Sequence, residues 1–108
     1  MSEHARFLRV LIEPKESDPV VWIATCLETG FVASGCGYKS ARAQILDILR
    51  AEYSFAVEHN KLRALFRPRI PKSLEDKWET VTRANPPERI ELFPRGAPVD
   101  VATVSRAA

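Results

Sequence analysis

Val20-Val21-Trp22-Ile23-Ala24-Thr25-Cys26-Leu27, Glu28-Thr29-Gly30 and Phe31-Val32-Ala33-Ser34-Gly35 follow one another and lead into a long amphipathic segment that ends at Asn60. The first run is β-branched and aromatic and has the length of a strand rather than a helix. Glu28-Thr29-Gly30 reads as a hairpin loop, with Gly30 supplying a positive φ. Phe31 to Gly35 is then the returning strand. Ser40 is placed as the N-cap of a helix running to about His59. Asn60 suits the left-handed residue that closes such a helix, and His59 and Lys61 lie where its dipole favours cations.

At about 100° per residue, Phe55, Ile48, Ile45, Ala56, Leu49, Tyr53, Leu46 and Val57 spread over roughly 200°, twice the stripe a one-sided helix needs. The helix also outruns the sheet: about nineteen residues rise roughly 28 Å, against roughly 23 Å for a strand of about seven. Its last turn is therefore expected to overhang. Leu46, Glu52, Tyr53 and Val57 become candidates for a partner or dimer interface, covered either by the C-terminal third or by another subunit. Glu52, inside the arc, reads either as a solvated carboxylate at the overhanging end or as one half of an interface ion pair.

Upstream, Leu8, Val10 and Ile12 alternate with Arg9 and Glu13 as a first strand, and Pro14 to Pro19 form a hairpin connection. The expected fold is α+β: a three-stranded antiparallel sheet in β-β-β-α order, with one long helix across one face. After Asn60, Leu62, Leu65 and Phe66 prolong helical spacing until Pro68 and Pro71. Ser73 looks like an N-cap for a short helix bearing Leu74, Trp78 and Val81 and ending near Ala84. Glu88 to Phe93 is a candidate edge strand. The expected division is a β-β-β-α domain over 1–66, a C-terminal extension over 67–95 and a flexible tail over 96–108.

The 108 residues suffice for one domain with a modest core, and a 45% hydrophobic, 28% charged composition is ordinary for a globular chain. With no apolar run near the ~20 residues of a membrane span and no secretory h-region, the expected location is cytoplasmic. Cys26 and Cys36 lie roughly 13 Å apart in the expected hairpin, too far for a disulfide, and are read as buried or half-buried thiols. No third or fourth ligand accompanies them, so neither a metal nor a cofactor is expected.

Residues 1–60 carry six Lys/Arg against eight Asp/Glu, whereas the remainder carries ten against six. Lys61, Arg63, Arg67, Arg69 and Lys72 concentrate that excess in a stretch without an acid. They form a solvated surface or a phosphate-contacting strip for nucleic acid. Catalysis needs converging groups. His4 and His59 have bland terminal and helix-end roles, and Asp18 and Glu28 fall in loops apart from Glu13. A non-enzymatic role is expected.

Trp22 to Gly35, followed by Ser40-Ala41 and the long helix, resembles the N-terminal domain of HicB-type antitoxins. Gly30, Gly35 and Ala41 are the matching positions, with Ser40 where the family opens its helix with Glu. The resemblance spans about Phe7 to Asn60. It implies a partial ribonuclease-H-like β-β-β-α fold and a non-catalytic module that binds and masks a small ribonuclease toxin or other effector. No ribbon-helix-helix or helix-turn-helix pattern follows, so DNA autorepression is not implied. Two function classes result: an antitoxin-like protein binder, expected to be a homodimer formed through a sheet edge or the helix overhang, and a nucleic-acid-binding accessory protein using Lys61 to Lys72.

Overall fold

The alternation of Leu8, Val10 and Ile12 with Arg9 and Glu13 produces the strand around which everything is laid. In the computed structural model, which describes residues 8–92 and 98–104, β1 (Leu8–Lys15), β2 (Asp18–Cys26) and β3 (Val32–Cys36) precede α1 (Tyr38–Glu58). There follow α2 (Leu62–Leu65), α3 (Lys72–Ala84), β4 (Glu88–Glu91) and β5 (Pro98–Thr103). The strands form one mixed sheet in the order β3-β2-β1-β5-β4. The fold is α+β with the long helix across the sheet, but the sheet has five strands, not three.

The two extra strands come from the segment expected as extension and tail. β4 lies at the sheet edge, as its alternation suggested. β5 lies parallel against β1, Leu8 opposite Val99 and Ile12 opposite Thr103. It is therefore no flexible tail: Val99 and Val101 point into the α1 core and Ala102 to the other face, all three buried. Phe93 to Ala97, Ser105 to Ala108 and the first seven residues, His4 among them, lie outside the described residues.

Because β1 is central, both of its faces are covered. Leu8, Val10 and Ile12 join Ala24, Cys26, Val99 and Val101 beneath Ala41, Ile45, Leu46 and Leu49 of α1. Leu11 faces the opposite way, under α3, where Leu74, Trp78 and Val81 close over Leu11, Leu27 and Ala102. The molecule is thus a helix, a sheet and a second helical layer.

Gly37 (φ 93°) precedes α1, which begins at Tyr38 with no side-chain cap, so Ser40 is not the N-cap. The reason is steric. A Cβ on Gly35 would lie 2.8 Å from the Ala41 amide nitrogen and closer still to Ser40 Oγ. The first turn of α1 rests directly on a strand that must be bare there, and Ser40 is used in that contact instead. The other end closes as expected. Asn60 has φ 58°, the Lys61 amide donates to Ala56 O at 2.7 Å and the Asn60 amide to Val57 O at 3.3 Å, the paired bonds of a Schellman motif. For α3 the cap is Pro71 rather than Ser73; its carbonyl accepts from the Leu74 and Glu75 amides.

Arg9 ties three elements together on the α3 face. Its Nε donates to Glu28, its Nη atoms to both oxygens of Glu75 at 2.9 and 3.1 Å, and its guanidinium lies 5.7 Å from the Trp78 ring centre. These bonds, above all that to Glu75, raise the Arg9 pKa. Reciprocally, the hydrogen bond from Arg9 holds Glu75 below the usual carboxylate range. Among the described residues no helix is long and apolar enough to cross a membrane.

Candidate functional site

A cleft of about 300 Å³ opens where α1 outruns the sheet, between the β2–β3 hairpin, the last turns of α1 and α2. Three local constructions place its walls. In the hairpin, Gly30 (φ 86°) lets its own amide bond Cys26 O while Cys26 N bonds Phe31 O, both at 2.9 Å, and this sets Phe31 at the mouth. Arg67 locks the loop from behind, with Nε on Leu27 O at 2.8 Å and its amide on Glu28 O at 2.9 Å. At the far wall the turn at Asn60 throws the chain back along α1, so Lys61, Ala64 and Leu65 of the returning segment face Glu52, Phe55 and Ala56.

The lining is mixed, with Phe31, Phe55, Ala56, Ala64 and Leu65 beside Thr29, Glu52 and Lys61. Phe31 and Leu65 are half-buried and Ala56 is buried, whereas Phe55 is 53% exposed and its ring stacks on His59 with centroids 4.0 Å apart. Val57, on the same turn but outside the cleft lining, is 55% exposed. Among the described residues neither Glu52 nor Lys61 enters an ion pair. An apolar floor with two uncommitted opposite charges at its rim can seat an apolar side chain and orient the polar chain around it.

The expected interface residues separate. Glu52 and Val57 lie at the exposed end, and Tyr53 is half-buried. Leu46 is only 7% exposed and belongs to the core. The wide apolar arc required a wider sheet than three strands, and β4 supplies it: Ile90 and Leu92 pack into the same core, and Arg42 reaches Glu88 on that flank at 3.0 Å.

The basic run does not form one strip. Arg67 is half-buried in the hairpin lock and Lys72 pairs with Asp76 at 3.2 Å. Lys61 belongs to the cleft, leaving Arg63 and Arg69 exposed and, among the described residues, without an ion pair.

Glu13 is bonded by Lys77 at 3.0 Å, Asp18 caps the Val20 amide at the far hairpin and Glu28 is held by Arg9. These acids do not converge, and among the described residues no group of three or more His, Cys, Asp or Glu could hold a metal. Both cysteines are free; Cys26 is buried, and that burial raises its pKa, whereas Cys36 is exposed rather than half-buried. The shallow sheet edge at Cys36, invisible to a one-dimensional reading, is the cause.

Sequence reasoning missed the partnership of Phe31, Phe55 and Leu65. Phe31 directly after the turn glycine and Leu65 four residues after Lys61 were the available signals. Nothing in the sequence marked Arg67 as an internal lock. Comparisons of the chain with protein-family models, with curated proteins and with solved structures find no match.

Proposed function

We propose that this chain is a non-catalytic protein-interaction module of HicB-like character that masks a partner effector, such as a small ribonuclease, by seating it on the cleft at the far end of α1. The observation that carries this reading is the cleft itself: Phe55, 53% exposed, stands at a roughly 300 Å³ hollow that it lines together with Phe31, Ala56 and Leu65, beside Glu52 and Lys61. Exposed aromatic anchors beside a pocket with a polar rim are the usual core of a binding hot spot. β4 and β5 are committed to the sheet, so they leave this end of α1 open.

Co-expression with the protein encoded by the adjacent reading frame tests the proposal. An untagged neighbour that copurifies, with affinity reduced at least tenfold by Phe55→Ser, is the expected result. Absence of a complex, or a complex indifferent to Phe55→Ser and Val57→Ser alike, would overturn it. Salt-sensitive binding of RNA or DNA that is lost on replacing Arg63 and Arg69 would favour the nucleic-acid reading instead.

A further inference from the structure

The two edges of the sheet are treated differently. β4 is four residues long, follows Pro86-Pro87 and reads Glu88-Arg89-Ile90-Glu91; charge, brevity and proline are the devices that keep an edge from pairing. β3, Val32-Ala33-Ser34-Gly35-Cys36, is one residue longer and carries neither charge nor proline.

The hydrogen-bond phase fixes which groups β3 leaves open. Cys26 N bonds Phe31 O and Gly37 N bonds Val20 O. In an antiparallel ladder the bonded residues alternate, so Ala33 and Gly35 turn their N–H and C=O toward β2. Val32, Ser34 and Cys36 turn theirs outward. Their side chains are exposed on the face away from α1, beside half-buried Ile23 and Val21, which stand opposite Ser34 and Cys36. The apolar residues of α3 gather over Leu11, Leu27 and Ala102 instead.

The neighbouring flank of α1 carries one charge, that of Asp47, which Arg50 pairs at 3.3 Å. Ser40 abuts Gly35 and Gln44 donates to Ser40 Oγ at 3.5 Å, which places that flank over β3. At helical spacing it continues through Ile48 and Ala51, half-buried and exposed respectively. Arg42 lies away from this flank, facing Glu88.

We propose that two copies of this chain pair antiparallel through β3 about a two-fold axis at Ser34, joining their sheets into one. That register sets Val32 opposite Cys36 of the second copy and Ser34 opposite itself. Every outward N–H and C=O of β3 then enters a bonded pair. An uncharged edge strand meets its own image without like-charge repulsion, as an isologous contact requires. The second copy is preferred over a foreign strand because the outward residues of β3 complement themselves in this register, the small apolar Val32 meeting Cys36 and Ser34 meeting its own hydroxyl.

Light scattering on the full chain at tens of micromolar tests the pairing. The expected mass is twice the 12.2 kDa of one chain. Ser34→Pro removes an N–H that makes no bond within the chain, so it should return the mass to that of a monomer with an unchanged circular dichroism spectrum. If proline disturbs the fold, Val32→Lys puts an edge charge at the same place without altering the backbone, and should also give a folded monomer. A wild-type monomer, or a dimer that survives in the folded variant, would overturn the proposal. Phe55→Ser should dimerise like the wild type, which keeps this pairing distinguishable from the docking role of the cleft.

Discussion

From Tyr38 to Leu49, α1 buries Ala41, Ile45, Leu46 and Leu49; from Arg50 to Glu58 it buries only Ala56 and exposes Phe55 and Val57. Both halves carry the same apolar periodicity, so pattern does not explain the difference. Length does. The helix has 21 residues, about 31 Å of rise, while β3 beneath it has five, about 17 Å. Apolar spacing says which side of a helix is oily, and the reach of the sheet decides how much of that side serves the fold.

The comparison is broken most strongly in the seated half. Leu49 is 1% exposed in a packed cluster, and Leu49→Ala should cost about 3–4 kcal/mol in urea unfolding. A loss under about 1 kcal/mol would mean that this half does not anchor the core.

The opposite face of the sheet sharpens the contrast, since it is held by a thin apolar strip and the Arg9 network. Arg9→Ala strands the Glu28 carboxylate, only 15% exposed, and should cost about 2–3 kcal/mol. It should also change the pH dependence. Arg9 holds Glu75 below the usual carboxylate range, so this carboxylate contributes stability that is present above its unfolded pKa and is lost as pH falls through the lowered folded value. Wild type should therefore lose stability in acid more steeply than Arg9→Ala; parallel acid limbs would contradict that role.

The order β-β-β-α, the edge strand from Glu88 and the stop at Asn60 were legible because each rests on local signals: alternation, a turn glycine, a residue that tolerates αL. β5 was not. Its partner β1 lies at the other end of the chain, and a parallel pairing leaves no hairpin signal between them. That omission propagated: without β5 to join β4 to the central strands, Leu46 looked stranded and was grouped with Val57. Ser40 is not the cap because the helix starts two residues before it, at Tyr38 after Gly37, which places Ser40 inside the first turn, where its hydroxyl accepts from Gln44. At the candidate site, the overhang was legible from helix length, but the cleft was not, because it needs the hairpin, α1 and α2 together. Arg67 looked like one cation in a run; its lock on Leu27 O exists only in three dimensions.

The central claim, that Phe55 and Val57 in the far half of α1 do not hold the core, is tested on the protein alone by the unfolding free energy of the double variant Phe55→Ser/Val57→Ser. Serine has nearly the helix propensity of the residues it replaces, so backbone effects are small. The account predicts a loss below about 1 kcal/mol, a fraction of that expected for Leu49→Ala. A loss matching Leu49→Ala would contradict it, since those side chains would then be holding the fold together.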